Sequence, residues 1–110
     1  MIEIYSHSFE GFLSVLESDE WKIGLLGYNE RFSALGEMER HLLTDEAFVL
    51  LDGSAVLHTD DQSLELELFK VYNVPRETWH HIVVSRDAKV LVVENRSTSK
   101  ENTEKRYLNE

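Results

Sequence analysis

A chain of 110 residues can bury one adequate core, so a single domain spanning 1–110 is expected. The absence of cysteine excludes disulfides, thiolate metal sites and cysteine nucleophiles. A formal charge of −10, with no Lys/Arg cluster, argues against nucleic acid and anionic membranes as partners.

No apolar run is long enough to span a bilayer. The start, MIEIYSHSFEGF, lacks the basic-then-apolar pattern of a secretion signal, which makes the cytoplasm the expected location. Within residues 1–20, Phe9, Phe12, Leu13 and Leu16 recur at helical spacing, with Ser8 as N-cap and Glu10 in the first turn. A short N-terminal helix packed outside a sheet is the expectation. From Trp21 the texture changes. WKIGLLGYN reads as a strand with two internal glycines, Phe32 to Leu35 can begin another, and Gly36 permits a bulge. EAFVLLDG and SAVLHT flank the hairpin signal Asp52-Gly53, and Thr59 to Gln62 marks the next turn. SLELELF alternates, with Leu64, Leu66 and Leu68 on one face and Glu65 and Glu67 on the other. The single proline, Pro75, keeps Asn73-Val74 extended ahead of TWHHIVVS, and KVLVVEN follows a turn at Arg86 to Ala88. About eight short strands over 21–95 indicate an all-β barrel or sandwich. Residues 96–110 read as a polar, solvated tail with no chemistry assigned.

On a strand through Gly36-Glu37-Met38-Glu39-Arg40-His41, side chains alternate, so Glu37, Glu39 and His41 form one polar row. A row of that kind turned inward is costly unless its members are paired, solvated or metal-bound. Glu46 follows at the head of an apolar run. His80 and His81 point to opposite faces, so one of the two joins the core side. Two imidazoles and two carboxylates suit Mn, Fe, Ni or Zn. Glu37 is then the nearby free carboxylate for moving protons. Ser85, His81 and Asp87 lack the glycines of a nucleophile elbow, His7 and His58 lack companions at ligand spacing, and no phosphate loop is present.

These two stretches resemble the paired motifs of the cupins, as a small single-domain member. The first motif runs glycine, five residues, His-x-His, three or four residues, Glu, six residues, glycine. His41, Glu46 and Gly53 fall in register, while Glu39 replaces the first histidine and Ser33 the leading glycine. The second runs glycine, five residues, Pro-x-Gly, two residues, His, three residues, Asn. Pro75 and His80 match it, while Phe69 and Glu77 replace the two glycines and Val84 the asparagine. The resemblance implies a double-stranded β-barrel, or jelly roll, with Glu39, His41, Glu46 and His80 as ligands of a divalent transition metal. It implies a small-molecule ligand and either a metal-dependent enzyme, such as an isomerase or epimerase, or a metal-free binding or sensing module. Two carboxylates would neutralise a divalent ion formally, which favours a neutral polyhydroxy, sugar-like substrate over a small diacid. With the core sides assigned in this way, Val49, Leu51, Trp79, His81 and Val83 face outward, and such a patch suggests a homodimer.

Overall fold

The computed structural model describes residues 1–108. Those residues form ten strands: β1 (Phe12–Glu17), β2 (Trp21–Leu26), β3 (Glu37–His41), β4 (Glu46–Asp52), β5 (Ala55–Thr59), β6 (Ser63–Glu65), β7 (Val71–Val74), β8 (His80–Val84), β9 (Lys89–Asn95) and β10 (Thr103–Tyr107). They make two five-stranded sheets, ordered β1-β2-β9-β4-β7 and β10-β3-β8-β5-β6. Every pairing between these strands is antiparallel. No helix among the described residues is long and apolar enough to cross a membrane.

The inner faces follow from alternation. Phe48 and Leu50 on β4 and Val90 and Val92 on β9 face Ala55 and Leu57 on β5 and Ile82 and Val84 on β8, in one buried cluster. Leu50, Val90 and Val92 are its most deeply buried side chains. The β4–β5 turn forms at Asp52-Gly53 as expected, with Gly53 at φ 75°, a conformation that penalises any Cβ.

The N-terminal helix does not form. Phe12 to Glu17 is instead the edge strand β1, in register with β2 from Phe12–Leu26 to Glu17–Lys22 with one bulge. The bulge between Ser14 and Leu16 shifts the strand alternation, so its apolar residues fall at a spacing that also reads as helical. The strand also satisfies the N–H and C=O groups of β2, which a helix could not do. Upstream, the Phe9 carbonyl packs so closely on Gly27 that a Cβ there would lie 1.7 Å from it.

Three further segments differ from expectation. Glu30–Phe32 is a short 3₁₀ helix, closed by the Phe32 N–H donating to Asn29 Oδ1 at 3.2 Å. The Leu/Glu alternation yields only three strand residues. Leu66 is buried, but Leu64 and Leu68 are exposed, because the chain leaves β6 to cross toward the other sheet. That crossing turns at Phe69, whose φ is 64° and whose N–H donates to the Leu50 carbonyl at 2.9 Å. Lastly, the polar tail is structured. A 3₁₀ turn at Lys100–Asn102 leads into β10, which pairs with β3 from Thr103–His41 to Tyr107–Glu37.

A candidate metal centre

Cross-strand register assembles the site. In one sheet, Lys22 on β2 lies opposite Glu94 on β9, and Glu94 lies opposite Glu46 on β4. In the other, Glu39 on β3 lies opposite His80 on β8, and His41 lies opposite Thr103 on β10. The two rows meet at one end of the core. Glu39, His41, Glu46 and His80 each offer a ligand atom, all within 4.8 Å of one another. The four residues that the motif spacing singles out are thus brought together.

Glu46 Oε1 is the hub, 3.0 Å from His41 Nε2 and 2.9 Å from His80 Nε2, while Glu39 Oε1 stands 3.7 Å from His41 Nε2. His80 Nδ1 faces the Thr78 carbonyl at 2.9 Å, which only accepts, so Nδ1 carries a proton. His41 Nδ1 lies 2.9 Å from the Thr103 hydroxyl. Both rings are therefore oriented from behind with Nε2 toward Glu46, as second-sphere partners orient metal-binding histidines. A neutral His80 would aim its Nε2 lone pair straight at a carboxylate oxygen. Either an extra proton or a cation has to lie between them. The donor set, two imidazoles and two carboxylates, fits a divalent transition metal.

The electrostatics follow from burial and charge. Burial lowers the His41 pKa, but the hydrogen bond and charge of Glu46, with Glu39 and Glu94 behind it, outweigh that and the net shift is upward. Burial pushes Glu46 up, yet the two imidazoles overcome it and hold the carboxyl at about 2. Glu94 goes the other way. Burial, then the charge and hydrogen bond of Glu46, raise it to about 8 against the opposing charges of His41 and Lys22. A neutral Glu94 can donate to Glu46, whereas two carboxylates facing each other across β4 and β9 would repel.

Glu37 stands elsewhere. It lies 3.4 Å from Arg31 Nε and 3.6 Å from Lys105 Nζ, and it is not among the residues lining the cavity. His81, expected outward, is buried instead. Its Nε2–H donates to the Arg31 carbonyl at 3.0 Å and its ring stacks on Phe32, with burial the main cause of its lowered pKa. Trp79 is half-buried and covered by the guanidinium groups of Arg40 and Arg106, 4.8 and 4.7 Å from its ring centre. Sequence reasoning passed over Glu94 and Thr103. Glu94 had a signal, since it occupies the slot after Val90 and Val92 on the inward face of KVLVVEN. Thr103 had none, because its role depends on a strand pairing in the tail.

No protein-family model matches the sequence, and no curated protein matches it. Solved structures do. A cupin-2 domain protein from Shewanella frigidimarina is 20% identical at a TM-score of 0.64, over 83% of this chain and 85% of that one. KdgF from Halomonas is 14% identical at 0.65, over 84% and 87%. Pac13 from Streptomyces, described as a nucleoside dehydratase, is 11% identical at 0.67, over 96% and 85%. At these identities the likeness carries the fold and nothing finer. Two packed antiparallel sheets and these neighbours together show that the chain has a cupin-like fold.

Proposed function

We propose that this cupin binds one divalent transition metal through Glu39, His41, Glu46 and His80, and uses it to act on a small polar molecule in isomerase-, epimerase- or lyase-type chemistry. The observation that carries the reading is the pair of imidazoles, each fixed at Nδ1, aimed at one buried carboxylate oxygen. The adjoining cavity of about 690 Å³ suits a monosaccharide- or nucleoside-sized ligand. When bound, the metal would supply Lewis-acid polarisation of a ligand oxygen. The protein's own part is positioning and proton handling. Glu94 lines the cavity beside the cluster and Glu37 does not, so Glu94 is better placed than Glu37 to give a proton to a substrate oxygen and take it back. A homodimer is part of the same reading. Its support is the exposed apolar edge at Leu68, Phe69 and Val71, which no helix covers.

The test is a calorimetric titration of chelator-treated protein with Zn²⁺ and Mn²⁺. One saturable site and a raised melting temperature are expected. His41→Ala and His80→Ala should each abolish binding while keeping a strand-type dichroism spectrum and a cooperative melt. Protein that binds neither ion, with melting unchanged by either, would mean the barrel is a metal-free binding module.

A further inference from the structure

The cavity beside the cluster has a charge balance opposite to that of the whole molecule. The chain has 11 Lys and Arg against 21 Asp and Glu. The cavity wall has four cations, Lys22, Arg31, Lys100 and Lys105, against three carboxylates, Glu39, Glu46 and Glu94. Two of those carboxylates are metal ligands in the reading above. Arg31 and Lys105 are occupied by Glu37 and Glu39, at 2.9 to 3.6 Å. Lys22 and Lys100 are different. Lys22 Nζ donates to the Thr98 carbonyl at 2.8 Å and lies 3.8 Å from Glu94, too far for a hydrogen bond. Among the described residues, Lys100 makes no ion pair. The Thr98 hydroxyl also belongs to the cavity lining, and it is shielded from solvent with no hydrogen-bond partner. A buried hydroxyl left unpaired is costly, and a ligand atom would remove that penalty.

The geometry points to an anion subsite built by Lys22, Thr98 and Lys100, which receives a carboxylate or phosphate group of the molecule processed at the cluster. The lining also includes Phe12, Phe32, Phe48 and Ile82, carbon-rich surface that suits the uncharged body of that molecule. The ligand class is thus an anionic polyhydroxy compound, a sugar acid or a sugar phosphate. The neutral sugar that the ligand charges alone favour is the poorer fit. Charge-assisted contacts in a partly closed site are stronger than the same contacts in water, and the field is focused where the low-dielectric walls converge. The far end of the ligand rests on the metal reading. The subsite itself uses no metal ligand.

Three probes with one ring in common test this: glucose, glucuronate and glucose 6-phosphate. Each is titrated into the isotope-labelled full chain, metal-free and Zn²⁺-loaded, and amide shifts are followed by NMR. The expected result is saturable movement of Lys22 and Thr98 to Lys100 with one anion, at least about tenfold tighter than with glucose and weakening with salt. The better anion identifies the group as carboxylate or phosphate. Lys100→Met, at an exposed position, should reduce the preference, and the Lys22→Met/Lys100→Met pair should remove it. Equal binding of all three probes overturns the proposal. So does the absence of saturable shifts with both anions at tens of millimolar. A preference that survives in metal-free protein upholds the subsite even if metal binding fails, whereas metal binding without any preference defeats the subsite alone.

Discussion

Glu94 illustrates how register and burial set the behaviour of one side chain. It is a cross-strand neighbour of both Glu46 and Lys22, and burial with the Glu46 charge raises it to about 8. Its folded pKa lies above its unfolded value of 4.5. The metal-free fold therefore binds a proton that the unfolded chain has released, and this contribution, complete below that value, is lost as pH rises through about 8. Glu94→Gln, which mimics the protonated form, should match the parent near pH 5. By pH 9 it should be more stable, by on the order of 4 kcal/mol in denaturant melts. Equal stabilities at both pH values would show that Glu94 is already ionised at pH 5. Thr103 makes a smaller, separate contribution by fixing His41 from behind. Thr103→Val should weaken Zn²⁺ binding about tenfold in calorimetry, with Thr103→Ser restoring it. The four ligand candidates were legible because strand alternation puts Glu39 and His41 on one face and the motif spacing adds Glu46 and His80. Glu94 and Thr103 owe their roles to neighbours distant in sequence, which alternation within one strand cannot show.

Among the elements, the two ends of the chain were the hardest to read. Phe12 to Glu17 fits either period, and only the open edge of β2 decides for a strand. The tail looked solvated because β10 is an edge strand rich in charge, as edge strands exposed to water commonly are. The central strands β4, β5, β8 and β9 were plain in the sequence, since each has apolar residues at every inward position away from the site. The open end of the β1–β2 pair rests on Gly27, where any side chain would collide with the Phe9 backbone. Gly27→Ala should cost at least about 2 kcal/mol, because backbone rather than a movable side chain has to yield. A thermal melt checks it. An unchanged melting temperature would mean that residues before β1 are free to move aside.

Assembly belongs to the molecule as a whole. The outward set expected from sequence is smaller in the fold, since His81 is buried and Trp79 lies under two arginines. The apolar groups left open are instead Leu68, Phe69 and Val71, with Val71 and Phe69 about 70% and 71% exposed. They sit at and beside the edge strand β7, where backbone groups are also free to pair with a second chain. Light scattering at micromolar concentration should give about twice 12.8 kDa, and Val71→Lys should halve it. A parent mass near that of one chain would exclude the dimer. Fold class was readable from strand count and turns, but the way strands divide between two sheets was not, because it depends on pairings such as β2–β9 far apart in the chain.

Phe69 and Glu77 both occupy motif positions that glycine would hold, and both have positive φ, 64° and 67°. Glu77 even keeps a backbone bond to the site, donating its N–H to the His41 carbonyl at 2.7 Å. Both turns are made without the glycine that the motif would supply, at a strain of roughly 1–2 kcal/mol each. The surrounding structure therefore holds two left-handed steps against the preference of their side chains, one on either side of β7.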